Sequence, residues 1–88
     1  MPRISEFFGI AIYMYWFDTQ KHQAPHFHAR YQGNEAVFTL EGARMDGTLG
    51  SRAHKLIEEW ALENAADLRA AWQLAISGKE IPWITPLQ

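Results

Sequence analysis

His26-Phe27-His28-Ala29-Arg30-Tyr31, followed by Gln32-Gly33-Asn34-Glu35 and then Ala36-Val37-Phe38-Thr39-Leu40, is the stretch on which the reading of this chain turns. Successive side chains of an extended strand point to opposite faces. His26, His28 and Arg30 therefore share one face, and Phe27, Ala29 and Tyr31 the other. Glycine at the first central position suits a two-residue hairpin turn, so Gly33-Asn34 is the expected connection. That turn sets Gln32 opposite Glu35, Arg30 opposite Val37, His28 opposite Thr39 and His26 opposite Glu41. Phe27, Ala29 and Tyr31 then share a face with Ala36, Phe38 and Leu40, and a slip of one residue would reverse that for the second strand. Pro25, which cannot donate to a sheet ladder, marks the start of the first strand or a sheet edge.

Upstream, Ile10 to Phe17 reads as a strand covered on both sides, with Ile10, Ile12, Met14 and Trp16 on one face and Ala11, Tyr13, Tyr15 and Phe17 on the other. Tyr13 and Tyr15 have the makings of a base-stacking platform, but buried aromatics are the commoner use of such residues. Met1 to Glu6 reads as a lead-in, and the polar Asp18 to Ala24 as a loop.

Downstream, Gly42 and Gly47 punctuate a further strand near Arg44 to Leu49. Gly50-Ser51 introduces a helical region with Ser51 as N-cap. At 100° per residue, Ala53, Leu56, Ile57, Trp60, Ala61, Leu68, Trp72 and Ala75 form one apolar stripe that packs on the sheet. Asn64, with Asp67 three residues on, either caps a second helix or lies within one long helix. Ser77-Gly78 ends the helical region. Ile81, Trp83, Ile84 and Leu87 are expected to pack the remaining tail down.

These elements predict one α+β domain over residues 1–88: a small antiparallel sheet of three or four strands with one face covered by C-terminal helices. Eighty-eight residues bury about 60–65% of the unfolded chain's surface, enough for a single core. With no cysteine, neither disulfides nor thiolate metal sites contribute, which favours an intracellular, cytoplasmic setting. The formal net charge is −2, and both halves, 1–50 and 51–88, carry four Lys/Arg against five Asp/Glu. This balance disfavours strong nonspecific nucleic-acid binding and leaves room only for a small local basic patch. The apolar run Phe7 to Phe17 falls short of the roughly 20 residues that span a bilayer, and it lacks the flanks of a signal peptide.

Chemistry concentrates on His26, His28 and Arg30. Two histidines at i and i+2 on a strand have Cα atoms roughly 6.5–7 Å apart, a span that one Zn²⁺ bridges. Glu41, opposite His26 in the expected register, is the favoured third ligand, with His22 and His54 as alternatives. Three protein ligands would leave a position for an activated water and hence hydrolysis. A second reading is metal-free RNA cleavage, with the histidines as general base and acid and Arg30 stabilising the phosphate. The third, which asks least of the sequence, is an interaction module that docks a protein partner through a strand edge or a face of His26, His28, Arg30 and Tyr31. His54 at the border of the helical stripe reads as a packed or capping histidine, and Trp60 and Trp72 as core.

The segment from Pro2 to Gly9 with its aromatic pair, the block Pro25-His26-Phe27-His28-Ala29, Tyr31, the Gly33 turn, Trp60 and Trp72 together resemble a family of small bacterial proteins catalogued as domain of unknown function 4160. The resemblance covers nearly the whole chain. It implies a partner protein, because members are often encoded beside a second small domain, catalogued as domain of unknown function 2442, in what has been suggested to be a toxin–antitoxin-like module. It implies no reaction. Family members usually have a tighter loop before the histidine block, often with a second proline, where this chain has Gln23-Ala24.

Overall fold

A computed structural model of the chain describes residues 3–15 and 24–88. Five strands form one antiparallel sheet in sequence order: β1 (Arg3–Phe7), β2 (Ile10–Tyr13), β3 (His26–Tyr31), β4 (Asn34–Thr39) and β5 (Arg44–Gly47). Two helices follow, α1 (Ser51–Glu63) and α2 (Ala65–Ile76). The α+β class and the antiparallel sheet agree with the sequence; the strand number exceeds the expected three or four. The additional strand is β1, made from residues read as a lead-in. It pairs with β2 through a turn at Phe8-Gly9 and carries a bulge between Arg3 and Ser5, which breaks its alternation.

The β3–β4 hairpin differs from the expected register by two positions. Tyr31 faces Asn34, Arg30 faces Glu35, His28 faces Val37 and His26 faces Thr39. The turn residues are Gln32 and Gly33, both at positive φ (50° and 81°), as a type I′ turn requires. This turn matches the twist of the flanking strands, and the gain outweighs the strain of placing Gln32 in the left-handed region. Because the shift is two residues, every side chain keeps its expected face. Only its partner changes.

The apolar face of the sheet is covered by the helices. Phe27 lies on Phe38 (centroids 5.7 Å apart, 19° between planes) and meets the Trp60 ring edge-on at 5.5 Å. Trp60 also reaches Phe7 at 5.3 Å, so one residue of α1 touches strands from both hairpins. Ile10, Ile12, Ile57 and Leu68 complete this buried layer, and Ala53, Ala61, Trp72 and Ala75 are buried as the stripe predicts. Leu56 is half-buried against it.

Local devices set the ends of the helices. Gly50, not Ser51, is the N-cap of α1, and no side chain caps it. The chain breaks at Asn64, whose amide nitrogen donates to Trp60 O at 2.9 Å while its own carbonyl accepts from Leu68 N. Asp67 sits in the first turn of α2. Beyond Ser77, Gly78 N donates to Ala75 O and Lys79 N to Leu74 O, the paired bonds of a Schellman motif.

The tail lies along β1. Ile84 N donates to Ile4 O at 2.8 Å, Ser5 Oγ to Ile84 O at 2.9 Å, and Trp60 Nε1 to Thr85 O at 2.9 Å. Ile84 and Leu87 are buried and Ile81 half-buried, as expected, but Trp83 is 57% exposed. It is exposed although the next residue, Ile84, is buried in the strap that the tail lays across β1. No helix among the described residues is long and apolar enough to cross a membrane.

Candidate functional site

The sheet face turned away from the helices collects the polar residues. Strand pairing sets Tyr13 beside His28 and His28 beside Val37, and Val37 beside Asp46; Arg3 pairs with Tyr13 at the other end of this row. A second row runs Glu6, Ala11, Arg30, Glu35. Tyr13 and Tyr15 are half-buried here, where the sequence suggested a strand covered on both sides. Trp16, Phe17 and the expected loop through Gln23 lie outside the described residues.

Alternation sets both histidines on one face of β3 as predicted, with His26, at the strand's start, covered by Trp72 of α2, and both are buried: His26 is 0% and His28 4% exposed. Their rings lie 5.3 Å apart in an edge-on arrangement. Each is held by neighbours. His26 Nδ1 is 2.8 Å from Ala24 O, which can only accept, so this nitrogen carries a proton. The His26 ring also packs on Trp72 at 5.2 Å. Tyr15 stacks on His28 (4.2 Å, 20°), with its hydroxyl 3.0 Å from Nδ1.

Glu35 ties this cluster together. Its Oε2 is 3.2 Å from His28 Nδ1 and its Oε1 is 2.9 Å from Arg30 Nε. Burial pushes the Glu35 carboxyl up, but the hydrogen bonds from Arg30 and His28 outweigh it and hold the group below its ordinary value. An ionised carboxylate only accepts, which assigns the His28 proton to Nδ1 in the neutral ring. The arrangement can therefore orient an imidazole and a guanidinium together. Arg30 also lies over the Tyr13 ring (5.2 Å), and Arg3 approaches the same ring (5.6 Å) while pairing with Glu6 at 2.7 Å.

Several expected members stand elsewhere. Glu41 is not opposite His26; Thr39 takes that place because of the two-residue register shift, and Glu41 is exposed in the turn after β4. Tyr31 is on the helix-covered face, packed against the core, so it does not join His28 and Arg30. His54 lies across the sheet from the other two histidines: its ring meets Phe38 edge-on at 5.5 Å, and its Nε2 accepts from Leu49 N at 2.8 Å. Of the two roles expected for it, packed or capping, it takes the packed one, with its bond lying just ahead of the N-cap Gly50. His22 lies outside the described residues. Among the described residues no group of three His, Asp or Glu side chains is arranged to hold a metal ion.

Glu35 and Tyr15 are the members that sequence reasoning missed. A Gln32-Gly33 turn, had it been chosen, would have set Glu35 directly across from Arg30 as an opposite-charge pair. Tyr15 offers no such signal, since its place over His28 depends on how β2 and β3 pair.

The family model described as Domain of unknown function (DUF4160) matches residues 9–73, and the chain belongs to that family. The match runs from the first hairpin turn into α2 and includes Tyr13, Tyr15, His26, His28, Arg30 and Glu35. No curated protein and no solved structure is significantly similar to the chain.

Proposed function

We propose that this protein is a small regulatory or interaction component of a bacterial, cytoplasmic two-gene system of toxin–antitoxin-like type, and that it docks a partner protein on the open sheet face. The observation that supports this reading is the unequal exposure of the polar face. His26 and His28 are buried and bonded to neighbours, whereas the Arg30 side chain is 51% exposed, lies over Tyr13 and is oriented by Glu35. Arginine beside an aromatic ring is a common anchor of protein interfaces. The partner suggested by the family resemblance is a small protein of the domain of unknown function 2442 type.

The test is calorimetric titration of such a partner, taken from the neighbouring gene, into the purified protein. Arg30→Glu and Tyr13→Ala should each weaken binding at least about tenfold, while Lys55→Glu on the outer face of α1 should leave it unchanged. Equal affinity for all three variants would remove the sheet face from the interaction.

A second reading is a histidine-dependent or metal-dependent hydrolase acting on nucleic acid, favoured by the Glu35–His28 pair with Arg30 alongside. A carboxylate that fixes Nδ1–H leaves the other ring nitrogen as the one to exchange protons. His28→Gln would then abolish RNA cleavage, whereas an interaction module would lose little. The metal form of this reading predicts near-stoichiometric Zn²⁺ binding that disappears in the His26→Ala/His28→Ala double variant.

A further inference from the structure

At the end of the sheet where β3 begins and β4 ends, a groove of about 340 Å³ opens between the strands and α2. Its apolar wall is made by Pro25, Leu40 and Trp72, and its rim carries Arg69 and Glu41. The volume is in the range of small-molecule sites, which are mostly apolar with a few placed polar groups.

Two features make this more than a surface dimple. First, its walls are fixed from behind. Buried His26 donates from Nδ1 to the carbonyl of Ala24, a lining residue, and its ring packs at 5.2 Å on Trp72, another lining residue. One completely buried imidazole therefore sets the spacing of two walls. Trp72 itself is only 7% exposed, held between the groove and that imidazole. Second, the rim charges are of opposite sign and unspent. Among the described residues neither Arg69 nor Glu41 takes part in an ion pair or side-chain hydrogen bond, although most charged groups on the open sheet face do.

We infer that this groove is a binding site for a small zwitterion with an aromatic or large apolar side group, the chemistry of a free hydrophobic α-amino acid. The side group lies on Trp72 and Leu40, the carboxylate meets Arg69 and the ammonium meets Glu41. A simple apolar molecule would make no use of either exposed rim charge, and a purely anionic one would meet Glu41 as a like charge. His26 is a positioning residue for this site: it touches no ligand and acts through Ala24 and Trp72. The inference is independent of partner docking on the open sheet face.

The test is titration of the full chain with L-phenylalanine, followed by the indole N–H resonance of Trp72 in ¹⁵N-labelled protein. The resonance is assigned with Trp72→Phe. Saturable shifts at Trp72, with those of Trp60 and Trp83 unmoved, are expected. N-acetyl-L-phenylalanine amide, phenethylamine and 3-phenylpropionate, which lack one or both charges, should each bind at least about tenfold more weakly, one charge-assisted contact being the loss. Arg69→Ala and Glu41→Ala are exposed substitutions that leave the core intact, and each should weaken L-phenylalanine to a similar degree. His26→Gln should weaken all four compounds alike, because it acts on the walls and not on the charges. Absence of saturation, or equal binding of the neutral amide, would overturn the assignment, and so would unchanged affinity in both rim variants.

Discussion

The imidazole of His54 accepts the backbone N–H of Leu49, with Nε2 and N 2.8 Å apart, and so ties the residue just ahead of the α1 N-cap to the first turns of the helix. Only the neutral ring can do this, because the bond uses the Nε2 lone pair. Burial lowers the His54 value below its ordinary 6.5, and the nearby Arg44 charge lowers it further. With a folded value below the unfolded one, the unfolded chain takes up the extra proton. The stability contribution is complete above about 6.5 and is lost as the pH falls through the folded value. Urea denaturation at pH 7.5 and at pH 5 should therefore show a larger loss for the native chain than for His54→Gln. Parallel losses would mean that His54 does not carry the dependence.

Glu35 is held low by two donors, and that can be read directly. Carboxyl chemical shifts followed through acid titration should place Glu35 below an ordinary glutamate, and Arg30→Ala should move it up by removing the 2.9 Å bond to Arg30 Nε. The associated stability is present above the unfolded carboxyl value and lost as pH falls through the folded one. The group is partly exposed, so the gain in stability is small. A Glu35 midpoint unchanged in Arg30→Ala would show that the pair has no weight in solution.

Gly42 sits at φ 88°, where the β4–β5 connection meets α1. A Cβ there would lie 2.7 Å from Glu58 Cα, a backbone atom with no room to yield. Gly42→Ala combines this clash with left-handed strain and should cost about 1–3 kcal/mol. Chemical denaturation should show the midpoint falling with an unchanged slope. By contrast, Gly33→Ala meets nothing within 4 Å and carries the conformational strain alone.

Trp60 joins both hairpins to the tail. Trp60→Phe keeps an aromatic ring but loses the bond to Thr85 O and leaves a void beside Phe7 and Phe27. The expected cost is about 2–3 kcal/mol, from the unmet carbonyl and the cavity. Increased protease sensitivity near Thr85 should accompany it. A loss of stability with no loosening of the tail would assign the effect to core volume alone.

Much of the architecture was legible because it follows from periodicity. Alternation assigned the faces of β3 and β4 correctly, and the helical stripe identified Ile57, Trp60, Leu68 and Trp72 as buried. What escaped depends on local backbone choices that no period encodes. The turn took Gln32 in place of Asn34, moving Thr39 into the position expected for Glu41. A bulge hid β1, and Gly50 replaced Ser51 as cap. The site was legible in part for the same reason. His26, His28 and Arg30 share a face by alternation, but Glu35 joins them by register and Tyr15 by the pairing of a different strand.

The strap across β1 also bears on the order in which the molecule takes shape. The bond from Ser5 to Ile84 spans 79 positions. Hairpins and helices close over short stretches of chain, and such long-range closures come late and slow folding. On a ribosome, β1 emerges well before residues 84–87, and its outer edge waits for them. During that interval the strand presents free backbone groups at Ile4, the kind of surface on which another nascent chain can pair. The vulnerable moment of this fold lies in its synthesis, between the making of β1 and the making of the tail that covers it.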